Sequence, residues 1–113
     1  MTTNTAALDF HIAPNASPMP EADRLTAFEN LGFGTLFTDH MTVIQWHADK
    51  GWHSAEVKAR GPFQIDPAAS VLHYAQEIFE GMKAYKGADG SITLFRPEEN
   101  ARRFNRSAER MAM

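Results

Sequence analysis

The fold is decided by the stretch HYAQEIFEGMKAYK, residues 73–86, together with the three residues before it. Ser70 is a residue type that caps the start of a helix, and Gly81 suits the left-handed position just past a helix end. Residues 82–86 then alternate in polarity, which predicts a strand with one buried face. The apolar residues ahead of Gly81 recur at helical spacing and predict a helix with one apolar stripe: Val71, Leu72, Ala75, Ile78 and Phe79.

Such an abrupt turn from helix to strand would aim Tyr74, Phe79 and the Gly81 backbone at roughly the same place. Two interpretations are open for these aromatic side chains. Aromatic residues at helical spacing are core residues in most proteins, so simple packing is the ordinary interpretation. The alternative is that they form one wall of a pocket.

The chain before this stretch predicts a tail, a short helix and a β-hairpin. Residues 1–23 are rich in Thr, Asn, Ala and Pro, which predicts a flexible, partly extended tail. Residues 24–31 predict a short helix. Residues 39–47 and 52–60 alternate in polarity and predict two strands, joined by a turn at 49–51 whose glycine accepts positive φ.

The chain after this stretch predicts a second hairpin and a longer helix. Residues 82–86 and 91–96 pair around the turn 87–90, and Pro97 suits the first position of a helix. The helix is still apolar and in phase where the chain stops at Met113, so we expect a piece of a longer protein. The fold class is therefore α/β of the α+β kind: antiparallel hairpins packed with two main helices. The buried stripe predicted for the last helix is Ala101, Phe104, Ala108 and Met111.

Composition excludes several classes of function. The 113 residues include no cysteine, carry a formal charge of −3 and are 43% hydrophobic, so neither nucleic acid nor an anionic membrane is expected as a partner. The N-terminus lacks a secretory signal, and we expect a cytoplasmic protein. His47 and His53 flank the first turn, but two histidines without a third ligand predict no metal site. Residues 32–34 lack the third glycine of a dinucleotide fingerprint.

Four motifs occur in order in the chain: FGTLFTDHM (33–41), LHY (72–74), FEGMKAY (79–85) and LFRP (94–97). Together they resemble the motifs of one enzyme family, the branched-chain amino-acid aminotransferases, which are pyridoxal-phosphate enzymes of fold type IV. The similarity runs from about Gly32 to the end of the chain, and it implies the small N-terminal domain of such an enzyme over residues 24–113. It also implies a homodimer, in which part of one small domain helps to close the neighbouring subunit's site.

The resemblance also implies roles for individual residues. Arg103 falls at the position of the family's cofactor-phosphate arginine, with Arg102 the neighbour most easily confused with it. Phe33, Tyr74 and Phe79 match positions that line the pocket for the Leu, Ile or Val side chain. Without the resemblance, Arg103 would be a solvated surface arginine and the three aromatics would be core residues.

The lysine that the chemistry needs is not found in this chain. Transamination requires a lysine that binds pyridoxal phosphate as a Schiff base and moves the substrate proton. None of the four lysines, Lys50, Lys58, Lys83 and Lys86, matches it. We expect the lysine and the large cofactor-binding domain downstream, and no activity from the 113 residues alone.

Three alternatives stay open at this point. A D-amino-acid aminotransferase and an aminodeoxychorismate lyase share the fold, although residues 79–85 favour the branched-chain group acting with 2-oxoglutarate. The third alternative is a non-catalytic binding module that kept half of the pocket.

Overall fold

A computed structural model describes residues 7–113, which mix small sheets with helices in an α+β arrangement. The chain divides into two units, the first ending at Phe63 and the second spanning Gln64–Met113. No helix in the described range has both the length and the apolar character to cross a membrane.

The first unit contains a three-stranded sheet and one helix, which lies between the first and second strands in the sequence. Its elements are β1 (His11–Ile12), α1 (Glu21–Ala27), β2 (His40–His47) and β3 (Gly51–Ala59). The sheet order is β1-β3-β2, with β1 parallel and β2 antiparallel to β3.

The first hairpin matches the sequence prediction to within a residue at each strand end. Gly51, with φ 66°, supplies the positive φ that the turn requires. The register between β2 and β3 pairs His47 with Gly51 and Gln45 with His53, so the two histidines do not lie opposite each other. A bulge interrupts the pairing, and Ser54 takes a φ of 50° there.

The N-terminal segment is more structured than the prediction of a tail over residues 1–23, within the part that the structure describes. Residues 11–12 are extended, as predicted, but they pair with β3. The Asn15 backbone N–H donates to His40 Nε2 over 2.8 Å. The predicted helix 24–31 is displaced: α1 follows Pro20 and begins at Glu21, because acidic residues in a first turn favour the helix start.

The second unit contains α2 (Ser70–Tyr74), β4 (Ala84–Lys86), β5 (Ile92–Leu94) and α3 (Pro97–Arg110). The β4–β5 hairpin turns at residues 87–90, as predicted. Pro97 occupies the first turn of α3, which confirms the predicted helix start.

The helix predicted to run from Ser70 to Gly81 is wrong in its extent. α2 ends after one turn, because Ala75 adopts the left-handed conformation with φ 49°, and Gly81 has no positive φ. Its N-cap is Ala69, not Ser70, and Asp66 Oδ1 accepts from the Ala68 N–H in the preceding turn. No residue of α2 is buried, so little packing energy supports a longer helix.

The apolar stripe predicted for α3 is not buried either, since α3 contains no buried residue. Among the described residues, Ala55 in β3 is the one buried hydrophobic residue, with 4% of its surface exposed. A stripe becomes buried only when another element covers it, and within Gln64–Met113 the short α2 and two three-residue strands offer little area for this.

Candidate functional site

A surface groove of about 420 Å³ runs along α3 in the second unit. One wall is the irregular segment 77–79 and the other is α3 itself. Arg103, Arg106 and Arg110 recur at intervals of three and four residues, which places them on one face of the helix. Positive charge therefore lies beside an apolar wall. The lining residues are Glu77, Ile78, Phe79, Arg103, Arg106, Ser107, Arg110 and Met111.

A hydrogen-bonded ion pair joins the segment before β4 to α3. Arg103 Nε donates to Glu80 Oε2 over 2.6 Å, and Arg103 Nη2 donates to Glu80 Oε1. Asn100 Nδ2 donates to the same Oε1 over 3.0 Å and to the Gly81 carbonyl over 2.7 Å. Two residues of α3 thus hold both the side chain of Glu80 and the backbone beside it.

These contacts shift the proton equilibria of both partners. Hydrogen bonding from Arg103, supported by Asn100 and the Gly81 N–H, lowers the pKa of Glu80 from 4.5 to about 2. The same pair raises the pKa of Arg103. Glu80 is thus a carboxylate at neutral pH, and Arg103 is a cation.

This network also explains why the chain leaves the helix before Gly81. Gln76 Nε2 donates to the Met111 carbonyl over 3.1 Å, at the C-terminal end of α3. Glu80 is bound to α3 by the contacts described above. The segment 76–81 has no buried residue that would support a longer helix, and these bonds to α3 hold it in its irregular conformation.

The structure brings together two of the four residues assigned by resemblance. Phe79, 91% exposed, and Arg103 line the same groove. Tyr74, 81% exposed at the end of α2, is not among the lining residues, and Phe33, fully exposed, belongs to the first unit. Gly81 lines a separate depression. The expected convergence of Tyr74, Phe79 and Gly81 is wrong, because the stop at Ala75 removes the helical spacing on which it depended.

Arg102 is distinguished from Arg103 by its partner. Arg102 Nη1 donates to Glu99 Oε1, one turn earlier on α3, and Arg96 binds the same oxygen over 3.2 Å. Arg102 is not among the groove-lining residues. Of the two neighbouring arginines, Arg103 is therefore the one that lines the groove.

Sequence reasoning missed four residues as parts of this site: Glu80, Asn100, Arg106 and Arg110. The signal for the arginines was available, because their spacing from Arg103 is helical. No local pattern marks Glu80 as the partner of a residue 23 positions later. Its role becomes visible only when the two segments are placed side by side.

Comparison with known proteins gives a consistent result. The chain is 52% identical over 110 residues to the branched-chain-amino-acid aminotransferase of Mycolicibacterium smegmatis, covering 97% of this chain and 30% of that protein. It is 48% identical over 113 residues to a probable branched-chain-amino-acid aminotransferase of Streptomyces coelicolor, covering 100% of this chain and 30% of that protein. A yeast relative, the cytosolic branched-chain-amino-acid aminotransferase of Saccharomyces cerevisiae, is 51% identical over 83 residues, or 74% of this chain and 22% of its own length.

No family model matches the chain. The identities above nevertheless extend over nearly its whole length, while the chain spans about 30% of the length of the first two relatives. The motifs identified in the sequence lie within the matched residues. Over nearly its whole length the chain is therefore similar to part of the branched-chain-amino-acid aminotransferases.

Proposed function

We propose that this chain is part of an enzyme that transfers the amino group of leucine, isoleucine or valine reversibly to 2-oxoglutarate, using pyridoxal 5′-phosphate. The observation that carries the proposal is the 52% identity to the Mycolicibacterium smegmatis aminotransferase across 97% of the chain. The groove beside α3 adds support, since it combines an apolar ring with arginines. An amino-acid aminotransferase with a phosphorylated cofactor needs both kinds of group.

Arg103 fits one part of the cofactor, its phosphate. A guanidinium carries five N–H donors, and Glu80 accepts from two of them. The remaining three suit a phosphate oxygen, and the side chain is 62% exposed, so a ligand can reach it. When bound, the cofactor supplies an electron sink for the bond changes at the substrate Cα.

We assign the aromatic residues to the substrate side chain. Phe79 presents an exposed ring at the groove, where a branched aliphatic group would find apolar area at low entropic cost. Phe33 and Tyr74 are assigned to the same pocket on the resemblance alone.

The lysine and the acidic partner of the pyridine nitrogen are proposed to lie in the rest of a longer protein. None of the four lysines lines the groove, and Lys58 is paired with Glu56 over 3.0 Å. We propose that residues 24–113 form most of a fold type IV small domain. The protein is proposed to be a homodimer in which that domain helps to close the neighbouring site. A cytosolic location is proposed by analogy with the yeast relative's name.

The test is amino transfer by the protein as its natural source produces it. Glutamate formation from 2-oxoglutarate is measured with leucine, isoleucine or valine, and in parallel with D-alanine. Lyase activity on aminodeoxychorismate is measured separately. The proposal expects glutamate from all three branched-chain substrates and none from D-alanine. Activity confined to D-alanine or to the lyase reaction would overturn it, and so would a complete lack of activity in protein loaded with the cofactor.

A further inference from the structure

Glu80 is the most enclosed member of the ion pair. Its side chain is 13% exposed, whereas that of Arg103 is 62% exposed. Both carboxylate oxygens accept from Arg103, and Oε1 also accepts from Asn100 and from the Gly81 N–H, the latter over 2.9 Å. A carboxylate bound by this many donors stays in one position, and its lone pairs fix the plane of the guanidinium opposite it.

The edge of Arg103 that Glu80 occupies determines which donors remain. Nε and Nη2 form the side-on edge of the guanidinium, and both donate to Glu80. The end-on edge, made by Nη1 and the second N–H of Nη2, has no partner among the residues that the structure describes. That edge carries two parallel N–H bonds, the geometry that matches a phosphate oxyanion. Glu80 thus leaves the second fork of Arg103 unused.

The charge of the groove favours an oxyanion although Glu80 lies next to it. Glu80 offsets the charge of Arg103, but Arg106 and Arg110 line the same groove. Glu77 is the acidic residue among the lining residues. With Glu77 and Glu80 both counted, the groove keeps a net positive charge, and a dianion is attracted into it.

We infer that Glu80 is a positioning residue for Arg103: it binds the side-on edge of the guanidinium and so directs the end-on edge to the phosphate of the cofactor. The inference rests on the proposed function, in which Arg103 binds that phosphate. Asn100 supports the arrangement by holding Glu80 Oε1 and the Gly81 carbonyl together. Arg103 then meets its ligand already oriented, so less side-chain entropy is lost on binding.

The experiment compares two ligands that differ only in the phosphate. Dissociation constants for pyridoxal 5′-phosphate and for pyridoxal are measured by absorbance on cofactor-stripped protein from the natural source and on its variants. Glu80→Gln is expected to raise the Kd for the phosphorylated ligand about tenfold, by analogy with the loss of a residue that orients a metal-binding side chain. The Kd for pyridoxal should not change. Glu98→Gln is the control: it also removes one negative charge, but at a residue of α3 that does not line the groove. It should change neither of the two Kd values.

A second variant protects the test against loss of folding. Asn100→Ala removes the amide from Glu80 and Gly81 but leaves the guanidinium intact, and it should shift the ratio of the two Kd values in the same direction by a smaller factor. Circular dichroism verifies that each variant is folded. An equal rise in both Kd values for Glu80→Gln would mean a merely structural role and would overturn the inference.

Arg103→Lys separates this inference from the proposed function. If Arg103→Lys weakens only the phosphorylated ligand while Glu80→Gln and Asn100→Ala leave the ratio unchanged, the positioning role is wrong and the phosphate role of Arg103 stands. If Arg103→Gln, which removes the cation altogether, also leaves the ratio unchanged, Arg103 does not bind the phosphate, and both the proposed role and the inference fail.

Discussion

Ala75 ends α2 in the left-handed backbone region, with φ 49° and ψ 37°. An L-residue with a Cβ is strained there, and glycine is not, so Ala75→Gly should stabilise the second unit. The sequence pattern instead predicts that a helix continues through this position to Gly81. In a helix interior the same substitution is destabilising, which means that the sign of the effect distinguishes the two conformations.

The magnitude follows from two opposing contributions. Relief of left-handed strain is worth about 1–2 kcal/mol. Glycine also frees the unfolded chain, which lowers stability by about 0.4–1 kcal/mol. The net gain in the free energy of unfolding is therefore about 0.5–1 kcal/mol. A helical Ala75 would instead lose about 1 kcal/mol.

Urea unfolding monitored by far-UV circular dichroism measures this difference. With a slope of about 1 kcal/mol per M, the midpoint of Ala75→Gly should rise by about 0.5–1 M. Ala101→Gly is the matched control, because Ala101 lies inside α3 and should lower the midpoint by a similar amount. If Ala75→Gly lowers the midpoint as much as Ala101→Gly does, Ala75 is helical and the early end of α2 is refuted.

Three further predictions concern other parts of the chain. The carboxyl of Glu80, followed by NMR, should titrate with a pKa of about 2 rather than 4.5. Because the folded pKa is lowered, the stability that the bond to Arg103 contributes is present above about pH 4.5 and is lost as the pH falls towards 2. A titration midpoint near 4.5 would show that the pair does not form. Gly51→Ala should destabilise the first hairpin by about 1 kcal/mol in urea unfolding, since the φ angle of Gly51 is 66°. Gly61→Ala is the control and should have no such effect, because Gly61 does not have a positive φ. Equal effects of the two substitutions would contradict the turn conformation. The isolated 113-residue chain should self-associate in sedimentation at roughly tens of micromolar, because large apolar side chains are exposed, and a monomer would count against this. The same chain should show no leucine transamination, because no matching lysine is present, and turnover above a heat-killed control would count against that.

Local signals were sufficient for the first hairpin, for the turn of the second and for the start of α3, but the strands β4 and β5 are shorter than predicted and exposed on both faces. Alternating polarity and Gly51 located β2 and β3 to within a residue, and Pro97 located the start of α3, because each of these signals acts on its own backbone. The segment 75–81 could not be predicted in this way. The apolar residues of this segment recur at helical spacing, but the segment is held by hydrogen bonds from Gln76 and Glu80 to α3. These bonds join residues that are far apart in the sequence, so no local pattern predicts them.

The candidate site, too, could be predicted only in part. The pairing of Phe79 with Arg103 at one groove was accessible through the family resemblance, which assigned both residues to the active site. The contact between Glu80 and Arg103 was not, because a glutamate in an irregular segment carries no pattern that names its partner. Burial was overestimated for a related reason: helical spacing predicts which face would be covered but not whether a covering element is present.

The central claim is that this chain is part of a pyridoxal-phosphate aminotransferase, and intact mass after borohydride reduction tests it most directly. Reduction converts a Schiff base between cofactor and lysine into a stable adduct, which is then read from the mass of the protein isolated from its natural source. The prediction is a mass well above 12.6 kDa that includes one phosphopyridoxyl group. A mass of 12.6 kDa without an adduct would contradict the claim and favour a binding module without catalysis.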